Sequence, residues 1–167
     1  MIHDYGKRTK KHLGQHFLAD QTVIHAIISA IAPRQDQHFF EIGPGPGVLT
    51  GPLLPLVASM HAVELDADCV AFLQKKYGDC KHFHLTHQDI LAFSFADCVA
   101  SGQPMRMVGN LPYNSSSPIL LRLLELRPVL VDAHFMLQKE MAARLYAQPG
   151  TKDYGRLTVM LARHFVT

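Results

Sequence analysis

Phe39-Phe40-Glu41-Ile42-Gly43-Pro44-Gly45-Pro46-Gly47 begins as a short apolar strand and breaks into a glycine turn. Glycine lets the backbone pass close to a ligand, and a helix starting after such a turn presents free N–H groups. Val48, Leu49, Leu53, Leu54 and Val57 supply the apolar face of that helix, predicted over Val48–Ala58. Pro52 and Pro55 sit awkwardly inside it and invite a kink. The glycine spacing is G-x-G-x-G, with an acid two residues before the first glycine. Dinucleotide-binding turns carry G-x-G-x-x-G instead. Alone, such a loop is weak evidence.

Its neighbours strengthen it. Met60-His61-Ala62-Val63-Glu64-Leu65-Asp66 predicts a second strand (about His61–Leu65), and Glu64 lies 17 positions beyond Gly47. Near that spacing a carboxylate can take both ribose hydroxyls of a nucleoside cofactor. A third strand from Lys81 to Thr86 ends in His87-Gln88-Asp89-Ile90, where Asp89 can accept from the amino group of an adenine. The competing role for both acids is a solvated cap on the next helix. A fourth strand, about Met105–Gly109, runs into Asn110-Leu111-Pro112-Tyr113. In an open parallel sheet all four strand ends line one edge, where ligands bind.

Asn110-Leu111-Pro112-Tyr113 carries chemistry of its own. An exocyclic amine on a flat base is a poor nucleophile because its lone pair is delocalised into the ring. The Asn110 carbonyl and a neighbouring backbone carbonyl can accept its two N–H bonds and favour a pyramidal nitrogen. Pro112 stiffens the loop, and Tyr113 can stack on the base. The plainer alternative is an ordinary strand-to-loop turn.

Around this core, Asp20 predicts a helix cap, and Val23, Ile24, Ile27, Ile28 and Ile31 recur at helical spacing until Pro33. A helix is predicted over Ala67–Tyr77, with Val70 and Leu73 inward. Ser115, Ser116, Ser117 and Pro118 lead into another through Ile119, Leu120, Leu123 and Leu124, the serines either capping it or touching substrate phosphate. A fifth strand (Ala133–Gln138), a helix (Lys139–Tyr146), a loop (Gln148–Lys152) and a last helix (Leu157–His164) complete the chain. Alternating strands and helices predict an α/β fold: a parallel sheet with right-handed crossovers, flanked by helices.

At 167 residues and 48% apolar content, the chain has enough side-chain volume for one real core. A formal net charge of only +2 does not announce a nucleic-acid binder. The charge is uneven, however: Lys7, Arg8, Lys10, Lys11 and His12 cluster near the N-terminus. Residues 1–11 therefore read as a flexible basic arm, and residues 12–167 as the folded domain. Cys69, Cys80 and Cys98 are odd in number and lack a C-x-x-C, as expected of reduced thiols in a cytoplasmic protein. No apolar stretch approaches a membrane span, and no signal-type segment follows the basic run. His82, His84 and His87 tempt a metal reading, but no cysteine or carboxylate completes a shell apart from Asp89, which has a better role, so no metal is expected.

Gly14-Gln15-His16-Phe17-Leu18, Glu41 to Gly47, Asn110 to Tyr113 and Gln138-Lys139-Glu140 together resemble the ribosomal RNA adenine N6,N6-dimethyltransferases, the dimethyladenosine transferases. The resemblance runs from about Lys7 to about Phe165. It implies a Rossmann-like class I methyltransferase fold, with S-adenosylmethionine as donor. The acceptors would be two adjacent adenosines near the 3′ end of small-subunit (16S) rRNA, within an immature ribosomal subunit, and the enzyme a monomer. By motif position, His16 and Leu18 would border the cofactor and Gly43 and Gly45 pass beside its methionine part. Glu64 with Leu65 would hold the ribose, and Asp89 with Ile90 the adenine. Asn110 would serve cofactor and target amine alike, with Leu111, Pro112 and Tyr113 completing the catalytic turn. Lys7, Arg8, Lys10, Lys11, Arg144 and Arg156 become candidates for RNA phosphate contact, and Lys139 and Lys152 are further ones. His16 stands where the family commonly has asparagine. The family also continues with further strands and a helical domain, whereas this sequence stops at Thr167, so the fold is expected to be truncated before its last strands. Rival readings are a resistance-type large-subunit rRNA methyltransferase, a DNA adenine methyltransferase, and a non-catalytic RNA-binding or ribosome-assembly module. A nicotinamide oxidoreductase is disfavoured by the glycine spacing.

Overall fold

The computed structural model describes residues 20–166. Asp20 caps the first helix, α1 (Gln21–Ile31), its Oδ1 accepting from the N–H groups of Thr22 and Val23 at 2.8 and 3.4 Å. The helix stops at Ala32, which adopts a left-handed conformation (φ 47°) just before Pro33. Ile24 and Ile31 are buried, but Val23 faces outward, so the apolar stripe is narrower than its spacing predicts.

Five strands follow, β1 (His38–Ile42), β2 (Ser59–Glu64), β3 (Phe83–His87), β4 (Met105–Asn110) and β5 (Leu130–Met136), in the order β3-β2-β1-β4-β5. Every pairing is parallel. Parallel strands buried on both faces carry continuous apolar runs; Phe39, Phe40, Ile42, Met60, Ala62, Val63, Met107 and Val108 are each at most 3% exposed. One core cluster packs Ile31, Phe39, Leu49, Leu53 and Met60, and the other joins Phe40, Met107, Ile119, Leu120, Leu126, Leu157 and Leu161. No helix among the described residues is long and apolar enough to cross a membrane.

The helices are α2 (Thr50–Leu53), α3 (Ala67–Tyr77), α4 (Ala96–Ser101), α5 (Ser116–Arg122), α6 (Lys139–Leu145) and α7 (Arg156–Ala162). A continuous helix from Val48 to Ala58 does not form. Helical hydrogen bonding begins only at Thr50 and passes into a 3₁₀ turn over Leu54–Leu56. The prolines explain this: Pro52 falls in the first turn, where no N–H is needed, while Pro55 removes the donor that would continue the ladder. α4 was not foreseen; its markers are Ser94, whose Oγ accepts from the Ala96 N–H at 3.3 Å, and left-handed Gly102 at its end. β3 starts two residues later than expected, and β5 begins and ends earlier.

Candidate functional site

The carboxyl ends of the strands are laced together beyond the last ladder pairs. Gly43 N–H donates to the Val63 carbonyl at 2.9 Å, Gln88 N–H to the Glu64 carbonyl at 3.0 Å, and Leu111 N–H to the Met136 carbonyl at 3.2 Å. Chain order reverses between β1 and β4, and that reversal is where an open α/β sheet leaves a crevice. A cavity of about 590 Å³ occupies it. Gly43, Gly45, Glu64, Leu65, Asp89, Ile90, Asn110, Leu111, Pro112 and Tyr113 all line it, so the structure brings these ten predicted residues together.

Gly43, Gly45 and Gly47 all take positive φ (63°, 56° and 80°), conformations that side-chain-bearing residues rarely adopt. Gly47 is also sterically confined, since a Cβ there would lie 2.9 Å from Leu73 Cδ2. Gly45 turns its N–H inward to Glu64 Oε2 at 2.8 Å. Glu64 Oε1 accepts from the N–H groups of Leu65 and Asp66, both at 2.8 Å. Glu64 is only 6% exposed, and burial pushes its carboxyl above the ordinary value although these three N–H groups pull the other way. Oε1 is thus filled, and a further donor has its place at Oε2.

Asp89 is half-buried two residues beyond β3, its Oδ1 held by the Leu91 N–H at 2.8 Å. Asn110 is half-buried and ends β4. The following turn is locked from behind. The Pro112 carbonyl accepts from the Ser115 N–H at 3.2 Å and from the Ser116 hydroxyl at 2.8 Å. Ser115 occupies the N-cap position of α5 without making a side-chain cap, so the foreseen serine cap is replaced by the Ser116–Pro112 bond. Tyr113 is 52% exposed at the cavity mouth, its ring available for stacking.

Glu41 and Gln138 also line the cavity. Glu41 accepts from the Thr50 hydroxyl at 2.6 Å, and complete burial raises its carboxyl to about 8. Its place two residues before Gly43 was a visible signal, as was Gln138's place just past a strand end. Arg144 and Arg156 lie away from the cavity on α6 and α7, where the Thr158 hydroxyl donates to the Arg144 carbonyl at 2.6 Å and ties the two helices. His16, Leu18, Lys7, Arg8, Lys10 and Lys11 fall outside the described residues. The histidines near β3 take separate partners: His82 Nε2 meets the Leu54 carbonyl at 3.2 Å, His87 Nε2 meets that of Leu65 at 3.1 Å, and the His84 ring faces His61. Among the described residues, no three histidines, cysteines or acids are grouped as a metal shell. The three cysteines are free thiols.

The family model for ribosomal RNA adenine dimethylase matches residues 6–166. The ribosomal RNA small subunit methyltransferase A of Cupriavidus necator is 48% identical over 156 residues, covering 93% of this chain and 55% of the relative. That of Pseudomonas aeruginosa is 49% identical over 160 residues, covering 96% and 60%. Among solved structures, a dimethyladenosine transferase from Plasmodium falciparum superposes with a TM-score of 0.75 at 29% identity, covering 88% of this chain and 52% of that one. The 23S rRNA methyltransferase ErmE gives 0.73 at 28% identity, covering 88% and 57%. This chain therefore spans a little over half the length of the curated relatives it matches. A class I methyltransferase sheet, its crevice lined by the glycine turn and the Asn-Leu-Pro-Tyr turn, and a family match across nearly every residue lead to one assignment: the chain belongs to the ribosomal RNA adenine dimethylase family.

Proposed function

We propose that this chain forms the cofactor-binding and catalytic part of an enzyme that dimethylates the N6 amines of two adjacent adenosines near the 3′ end of small-subunit rRNA. The observation that carries the proposal is the convergence of Gly45, Glu64, Asp89 and Asn110 on one cavity, beside an exposed Tyr113. The residues present fit S-adenosylmethionine. Glu64 Oε2 takes a ribose hydroxyl, with a second such bond replacing one of the backbone donors it now holds. Asp89 and Ile90 take the adenine, and Gly43 and Gly45 leave room beside the methionine part. When bound, the cofactor supplies an electrophilic methyl group on a sulfonium.

The chain's own contribution is to the acceptor amine. Asn110 Oδ1 accepts one N–H of the target adenine. The Pro112 carbonyl already holds two donors, so the second acceptor falls to the Leu111 carbonyl. As positive charge develops on the attacking nitrogen, these two dipoles stabilise the transition state more than the ground state. The alkylated nitrogen is acidic enough that no strong base is required. That explains an amide, not a carboxylate, at position 110.

The named relatives favour the small subunit over the large as the source of the RNA. The basic run from Lys7 to Lys11, with Arg144 and Arg156, contacts RNA phosphates. The chain acts as a monomer on immature subunits in the cytoplasm. Calorimetric titration with S-adenosylmethionine, then a methylation assay on immature small subunits, tests the proposal. Wild type binds and transfers; Asn110→Ala loses transfer by roughly 10²-fold or more while its cofactor affinity falls by less than about tenfold. Failure of the wild type to bind the cofactor, or full transfer by the alanine variant, overturns it.

A further inference from the structure

Arg122 ends α5 and does not line the cavity, yet its Nη1 donates to the Ile90 carbonyl at 2.6 Å. All three nitrogens of its guanidinium donate a hydrogen bond. Nε and Nη2 grip Glu125 in a bidentate pair at 2.8 Å each, and the plane lies 4.9 Å from the centroid of the buried Phe95 ring. A rigid fork fixed on two sides aims its remaining N–H donors, which a lysine on a flexible stem cannot do. The loop it holds is short: Ala92 N–H donates to the Asp89 carbonyl at 3.0 Å, Leu91 N–H to Asp89 Oδ1, and Phe93 N–H to the Ile90 carbonyl at 3.3 Å. Of these contacts, only that of Arg122 comes from another element. The other end of α5 is tied to the catalytic turn by the Ser116–Pro112 bond.

We propose that Arg122 is a positioning residue for purine recognition, holding the Asp89-Ile90 loop so that the Asp89 carboxylate meets the amino group of the cofactor's adenine. It rests on the function proposed above. α5 then joins the cofactor's purine subsite to the target-base turn as one rigid piece. The geometry explains why a residue outside the crevice, anchored by Glu125 and Phe95, sends its remaining nitrogen to so small a loop.

Calorimetry with two ligands separates positioning from general stability. One is S-adenosylhomocysteine; the other is its analogue with hypoxanthine in place of adenine, which lacks the amino group. Wild type prefers the adenine ligand by about tenfold or more, the range expected for one hydrogen bond to a charged acceptor. Arg122→Met shrinks that ratio to within about threefold by weakening the adenine ligand alone, as does Asp89→Asn; combining the two shrinks it no further. Equal weakening of both ligands, or a wild-type ratio in Arg122→Met, overturns the proposal. Should the methionine variant fail to fold, Arg122→Lys is used: it gives an intermediate ratio, and an undiminished one is equally fatal. A wild-type protein that binds neither ligand defeats the underlying function itself.

Discussion

Glu41 sits beneath the glycine turn with its carboxyl sealed from water and bonded to the Thr50 hydroxyl. Below its ordinary value of 4.5, folded and unfolded chains both hold the proton. Between there and about 8 the unfolded chain releases it while the folded one keeps it, so stability falls across that window and is flat above it. Glu41→Gln removes the dependence. Urea unfolding should therefore show the variant gaining on wild type between about pH 5 and pH 8.5, by on the order of a few kcal/mol. An unchanged gap would show that Glu41 is not held protonated. Glu64, proposed above as the ribose acceptor, would work in the opposite sense for ligand binding, because a carboxylate accepts ribose hydroxyls best when ionised. Its raised value places that ionisation above 4.5, so S-adenosylmethionine affinity should climb with pH over the range just beyond it. Glu64→Gln should bind about tenfold more weakly and lose that climb; calorimetry at several pH values decides.

At the scale of elements, one buried arginine fastens the far end of the sheet. Arg106, near the start of β4, pairs with Asp132 of β5 through Nε and Nη2 at 2.8 Å each. It also donates to the Ile31 carbonyl at 2.8 Å and to Gln37 Oε1 at 2.9 Å, closing the end of α1. Its guanidinium lies 5.1 Å from the Phe39 ring centroid. Arg106→Met should cost about 2–4 kcal/mol, because it strands a carboxylate and helix-end carbonyls together. The cavity lies at the opposite ends of the strands, so the folded variant should keep its cofactor affinity. A large loss of affinity without a loss of stability would contradict that separation. Nothing in the sequence marks Arg106 as more than a charged residue in a strand; its role depends on β5 and α1 arriving beside it. α3, by contrast, was readable to the residue, since Asp66 caps it through the Asp68 N–H at 2.9 Å and no proline interrupts it.

For the molecule as a whole, the parallel order β3-β2-β1-β4-β5 brings residues scattered from Gly43 to Tyr113 around a single cavity, the rim proposed to bind the cofactor. A ligand that needs this rim intact stabilises the entire fold. At a hundred times its dissociation constant, S-adenosylmethionine should add about 2.7 kcal/mol and raise the melting temperature by roughly 5–10 °C. A thermal scan with no shift at that concentration would mean that the cavity is not the cofactor site.

Most of the elements, their succession along the chain and the polar residues at the strand ends were set by local chemistry: apolar runs, capping acids, glycines that tolerate positive φ, and an Asn-Leu-Pro-Tyr turn; α4 and the break in the Val48–Ala58 segment were not read from it. Such signals act over a few residues, so they can be read along the chain. That the Gly45 N–H reaches Glu64 and that Arg122 reaches the Ile90 carbonyl were decided by the folded structure alone. These depend on groups 19 and 32 residues apart being packed within hydrogen-bond distance, and such proximity is a property of packing, which no local pattern records.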